Sequence, residues 1–118
     1  MKIPDFEDIV NAHQLTGGML HCTPVMTSSA INRITGTELF FKCENLQRTG
    51  SFKFRGATNA VFSLTQEQAS HGVGTHSSGN HAAALAFAAS LRGIRAHIVM
   101  PSNAPEIGRD TSELQSQR

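Results

Sequence analysis

Lys53 stands in the stretch TGSFKFRGATNAV, Thr49 to Val61, and its neighbours at i+3, i+4 and i+7 are Gly56, Ala57 and Ala60. A face of small side chains carrying one amine lets another group approach closely. Gly50 permits a tight turn and Ser51 is a good N-cap, which puts Lys53 in a first helical turn. Unpaired N–H groups and the positive dipole end gather there. That field, with Arg55 close by, disfavours the ammonium form and lowers the lysine toward a neutral amine. A neutral lysine forms a Schiff base with a carbonyl. The competing reading is a surface lysine with its stem laid along apolar neighbours, which is the rule for an arbitrary lysine. The small-residue face and the Gly-Ser turn weigh against it here.

A second stretch, THSSGNHAAALA, sets Ser77, Ser78, Gly79, Asn80 and His81 between a predicted strand and a predicted helix. Ligands bind at such points, at the carboxyl ends of parallel strands. Hydroxyls, the Asn80 amide and free backbone donors suit an anion or the polar edge of a cofactor. The same residues are also good capping chemistry and nothing more. Other motifs fail. Neither Ser77 nor Ser78 has the flanking glycines of a nucleophile elbow, GVGTHS lacks the third glycine of a dinucleotide fingerprint, and no phosphate-binding GxxxxGK[ST] occurs. His71, His76 and His81 recur every five residues, on no common helix face, so no metal ligands are assigned.

These turns need elements to hold them. DFEDIVNAHQLTGG predicts a helix with Phe6, Ile9, Val10 and His13 on one face, ended by Gly17-Gly18. HCTPVMTSSAINRITG predicts an extended Thr-Pro step and a short helix from about Ser28, closed by Gly36. ELFFKCE predicts a strand over 38–43, and ENLQRTG is loop. SFKFRGATNAVFSLTQEQ predicts one helix capped by Ser51, with Phe54, Ala57, Val61 and Leu64 as its core stripe. HGVGTHS, GNHAAALAFAASLRG and IRAHIVMP then read as strand, helix (80–92) and strand, the size of a βαβ unit with parallel strands. The fold class is α/β, with a boundary between structural units at QEQASHG. After Pro105 only Ile107 and Leu114 are apolar, so a disordered tail is expected. A parallel strand with no successor reads as a chain cut short.

Composition narrows the classes. A chain of 118 residues is one domain at most by size, and a net charge of +1 gives no broad basic surface for nucleic acid. Trp and Tyr are absent, which removes stacking platforms for single strands. Cys22 and Cys43 have no motif spacing, so a reducing compartment is the default. The acidic start MKIPDFEDIV has no secretory apolar region, and AAALAFAA is too short to span a bilayer. A cytoplasmic protein without membrane contact is expected.

Taken together, TGSFKFRGA and THSSGNHAAALA, in this order and at this separation, resemble the fold-type II pyridoxal-phosphate enzymes, within them the serine racemase and serine/threonine dehydratase branch. HCTPVMTSSAINRITGTELFFKCENLQRTGSFKFRGATNAV is similar to that family's N-terminal segment and GIRAHIVMPSNAP to its next strand and turn, a likeness over about residues 5–105. The resemblance implies part of a tryptophan synthase beta-subunit-like fold, three-layer α/β/α with parallel strands, incomplete at the C-terminus. Residues 1–70 would belong to the large cofactor-binding domain, 71–105 would start the small α/β domain, and 106–118 would be a divergent tail. It implies that Lys53 holds pyridoxal 5'-phosphate and works as a base on one substrate face, with Ser78 on the other. Asn80 would hydrogen-bond the ring hydroxyl and Phe52 would lie beside the ring. Ser77, Ser78, Gly79, Asn80 and His81 would hold a serine or threonine carboxylate. Ser28, Ser29, Arg48 and Thr49 match contacts to ATP, an effector of the family alongside Mg2+ or Ca2+, and the family is typically homodimeric. The glycine-rich phosphate cradle, the partner of the pyridine nitrogen and the acidic metal site find no match in this sequence, so full activity is not expected of the chain alone.

Overall fold

The computed structural model describes residues 3–103, so the expected tail at 106–118 lies outside the described residues. Helix α1 (Phe6–Thr16) starts on a capping box: the Asp8 amide donates to Asp5 and the Asp5 amide to Asp8, at 3.1 and 3.0 Å. Its expected apolar face is turned outward, with Phe6 at 77% and Ile9 at 61% exposure. The protected line is instead Asp8, Ala12 and Thr16, spaced by four, and α1 packs against the third helix.

Strand β1 (Val25–Met26), helix α2 (Ser29–Thr35) and strand β2 (Phe41–Lys42) follow. Ser28 caps α2 through its hydroxyl, and Gly36 ends it at φ +69°, both as the sequence predicts. The strand expected over 38–43 is corrected to two residues, antiparallel to β1 with Val25 opposite Lys42. The Leu39 amide is already committed to Asn32 Oδ1 at 3.0 Å, so the residues before Phe41 are drawn to α2 and leave the ladder.

The long helix predicted from Ser51 is two helices, α3 (Lys53–Phe62) and α4 (Gln66–Ser70). Ser63 ends the first, its hydroxyl turned back onto the Asn59 carbonyl at 2.7 Å, and a Thr65–Gln68 capping box starts the second. Arg92 closes the first helix from outside, its guanidinium donating to the carbonyls of Val61 and Leu64. Ser51 is not the cap: it is extended and buried, and its hydroxyl has no hydrogen-bond partner among the described residues.

Strand β3 (Val73–His76), helix α5 (Asn80–Arg92) and strand β4 (Ala96–Val99) form the expected parallel unit, Val73 opposite Ala96 and His76 opposite Val99. Gly93 ends α5 at φ +72°. The core lies between α3 and α5: Phe54, Ala57 and Val61 against Ala84, Leu85 and Ala88. Phe54 is fully buried, worth about 2–3 kcal/mol in transfer terms, and its ring meets Phe87 at 5.3 Å. The expected boundary at 70/71 falls between α4 and β3. No helix among the described residues is long and apolar enough to cross a membrane.

Gly72 joins α4 to β3 at φ +77°, and a Cβ there would stand 2.7 Å from the Arg95 carbonyl oxygen, which accepts the Val73 amide. Backbone strain and a clash with a bonded carbonyl act together. Gly72→Ala is therefore expected to cost roughly 1–3 kcal/mol, read as a lowered urea midpoint. A midpoint equal to the parent's would show that the β3–β4 junction yields.

Candidate active site

Lys53 is the first residue of α3 and is exposed. Its Nζ lies 5.6 Å over the ring centroid of Phe52, which is itself 63% exposed, and makes no ion pair among the described residues. Of the small-residue face beside it, Ala57 packs against α5 in the core, while Gly56 and Ala60 stay exposed. Gly56 has nothing within 4 Å of a Cβ position, and Gly56, Ala57 and Ala60 line an open cleft of about 290 Å³ whose far wall includes Gly74, His81 and Leu85.

The turn that delivers Lys53 is unusual. Thr49 has φ +61°, the only positive value at a non-glycine residue among the described ones, and Gly50 follows at +70°. A β-branched residue in this region is strained. Arg48 Nε, Thr49 Oγ1 and Ser51 Oγ are buried there without hydrogen-bond partners among the described residues. Buried polar atoms left unmatched cost about 1–3 kcal/mol each, so three on one turn mark a place where further polar atoms belong.

Around this turn, in the stretch predicted as loop, stands a network of polar side chains. Glu44 receives the Arg55 guanidinium on both oxygens, Nε to Oε2 and Nη2 to Oε1 at 2.7 Å each, and the Thr23 hydroxyl on Oε1 at 2.6 Å. Arg55 thereby holds the Glu44 carboxyl well down, at about 2, against the opposing pull of burial, with Thr23 adding to the effect. A lowered carboxyl stabilises the fold above its ordinary 4.5, and that contribution is lost only as pH falls toward about 2. The carboxylate correspondingly raises Arg55. Arg55 is thus spent on Glu44, which corrects the expectation that its charge acts on Lys53. Gln47, 3% exposed, accepts the His21 and Arg48 amides on Oε1 at 2.9 and 3.0 Å and donates Nε2 to the His21 carbonyl at 2.9 Å. An acid and an amide flanking the turn, with Arg55 eleven residues beyond Glu44, were the only signal available.

The second turn opens α5. Neither serine caps this helix: Gly79 occupies the cap position with no side-chain bond, so the capping reading fails. Ser77 is fixed by its amide on the Val99 carbonyl at 3.0 Å, and Ser78 Oγ makes no hydrogen bond among the described residues. Both line a cleft of about 400 Å³ with His76, Val99, Met100 and Pro101, at the carboxyl ends of β3 and β4. Asn80, exposed, is the first residue of α5. His81 lines the other cleft, beside α3, so the structure divides the expected carboxylate loop between two openings. The residues matched to ATP are also divided. Ser28 is used as the cap of α2 and Ser29 is exposed, whereas Arg48 and Thr49 lie on the strained turn, which packs against α5. Among the described residues no three His, Cys, Asp or Glu side chains group as metal ligands.

Comparison with known proteins decides the family, since residues 19–116 match the family described as "Pyridoxal-phosphate dependent enzyme". The chain belongs to that family. Over 111 residues, 94% of this chain, it is 54% identical to a beta-hydroxyaspartate dehydratase of Paracoccus denitrificans. Over 102 residues, 86% of the chain, it is 58% identical to a serine racemase of Arabidopsis thaliana. The solved structure of maize serine racemase superposes with a TM-score of 0.93 at 50% identity over 97% of this chain. The fold is accordingly α/β of the fold-type II class. The family match also runs on past Pro105, where the expected likeness stops. This chain spans about a third of these proteins, 35%, 31% and 35% of their lengths.

The family's cofactor is pyridoxal phosphate, and the residues present fit its aldehyde side. An uncommitted amine heads α3, an aromatic ring stands next to it, and unmatched polar atoms line the preceding turn. A glycine-rich phosphate cradle is not recognised among the described residues.

Proposed function

We propose that this chain is the cofactor-lysine segment of a pyridoxal-phosphate-dependent serine racemase with serine/threonine dehydratase activity. The carrying observation is that Lys53 and Ser78–Asn80 stand at the heads of two helices, α3 and α5, that share one core. When bound, pyridoxal phosphate supplies an electron sink that eases loss of the substrate α-proton. Lys53 anchors it through Nζ and moves the α-proton on one face, and Ser78 Oγ does so on the other. Asn80 donates to the ring hydroxyl, Phe52 flanks the ring, and Ser77, Gly79 and His81 bind the carboxylate of serine or threonine.

The same reading assigns residues 1–70 to a large domain and 71–105 to the start of a small one. It gives Arg48 and Thr49, with Ser28 and Ser29, to ATP, and adds Mg2+ or Ca2+, homodimerisation and a cytoplasmic setting. A second reading is a non-catalytic chain that docks on longer family members. Ile3, Phe6, Phe40 and Val25 favour it, being 86, 77, 67 and 57% exposed. Gel filtration with a longer homologue tests it, and separate elution counts against it.

The first reading is tested by adding pyridoxal 5'-phosphate, reducing with borohydride and mapping the label over Lys2, Lys42 and Lys53. Label concentrated on Lys53 is the expected outcome. Label spread over the other two, with none on Lys53, sinks the assignment.

A further inference from the structure

We infer that Glu44 is a positioning residue for Lys53, acting through Arg55 and the turn that the ion pair closes. The inference rests on the reading of Lys53 as the cofactor lysine.

The chain between Glu44 and Arg55 contains every unusual feature of the region. It holds the Gln47 anchor, Thr49 and Gly50 with positive φ, the three unmatched polar atoms, and Lys53 itself. A strained turn persists only where its surroundings over-determine it. Here its N-terminal side is fastened at two points to one short segment. Gln47 brackets the His21 peptide through its amide and carbonyl, and Glu44 takes the Thr23 hydroxyl two residues on. The fork of Arg55 then ties Glu44 to the first turn of α3, two residues beyond Lys53. A bidentate pair fixes direction as well as distance, which a single contact does not. The Glu44 side chain is 17% exposed and carries three donors, so little room is left for it to turn away.

The alternative is that this network only adds stability. The far end of α3 supplies the contrast, since Arg92 holds the carbonyls of Val61 and Leu64 with two donors of its own and touches nothing near Lys53. Loosening either end weakens the helix, but only loosening the Glu44 end frees the direction of the amine.

The experiment treats the chain with pyridoxal 5'-phosphate, reduces with borohydride after set times, and reads label on Lys53 relative to Lys2 by peptide mapping. Lys42 is a poor reference because it donates to the Thr23 carbonyl at 2.7 Å, inside the same network. Glu44→Gln is expected to lower the Lys53:Lys2 labelling rate ratio about tenfold, the scale on which supporting groups and small misplacements act. Arg55→Lys should do the same, because an ammonium cannot span both carboxylate oxygens. Arg92→Ala should lower the thermal midpoint yet leave the ratio within about twofold, since remote sites act independently. A folded Glu44→Gln or Arg55→Lys chain that labels Lys53 at the parent ratio overturns the inference. So does an equal fall in Arg92→Ala, which would make general loosening the cause, or failure of both network variants to fold. A parent chain labelled on Lys2 but not Lys53 overturns the cofactor-lysine reading instead, and is told apart because no mutation is needed to see it.

Discussion

Ser78→Ala, placed in a full-length family member carrying this segment, is expected to abolish L-to-D conversion of serine while sparing much of L-serine deamination. Racemisation needs a proton acceptor on one face of the α-carbon and a donor on the other. On the proposed reading, loss of water from L-serine can begin with Lys53 alone. On D-serine the dependence reverses, because Ser78 would then take the first proton. A positioned acid or base contributes about 10²–10⁴-fold in rate, so the two activities should separate clearly in one assay of D-serine and pyruvate. The structure supplies a local reason to expect a clean result. Ser78 Oγ is neither a helix cap nor bonded to another described residue, so its removal leaves no orphaned partner. Racemisation within a few-fold of the parent would end the two-base reading.

Lys53→Ala in the same context is expected to remove both activities together, toward the upper end of the same 10²–10⁴-fold range or beyond it. On the proposed reading, loss of the amine takes away the covalent anchor as well as the base. It should also remove the cofactor absorbance that depends on attachment to the protein, so a spectrum and an activity assay must fall in step. The fold should survive, because Lys53 is exposed and the core residue of that turn is Phe54. A variant that keeps the bound absorbance while losing activity would move the anchor to another residue.

Much of this was legible in the residues because it rested on local rules. The Ser28 cap, the glycine stops at 36 and 93, and the strand–helix–strand order from Val73 to Val99 follow from short-range chemistry. The core stripe Phe54, Ala57 and Val61 follows from helical spacing. What escaped was decided by side chains that choose among several local partners. Ser51 looked like a cap and is extended, Ser63 and Thr65 divided what periodicity joins, and Asn32 claimed the amide of Leu39. The Glu44–Arg55 pair escaped for a different reason. Arg55 is near Lys53 along the chain, whereas its fork points to a carboxylate eleven residues away.

The alanines of α5 have a consequence for how such a site is tuned. Seven residues of this helix are buried, six of them alanine, and two of these, Ala84 and Ala88, meet α3 in the shared core beside Leu85, so small side chains help set how near α3 comes. Helix separation depends on the side chains at the contact over a range of about 8–10 Å. The gap between the Lys53 and Ser78 turns is therefore set by atoms that touch neither. One added methyl group at Ala84 or Ala88 would act like a shim under a hinge, spreading the two heads while every polar group stayed in place. Selection could thus retune the reach between Lys53 and Ser78 by changing hydrocarbon alone.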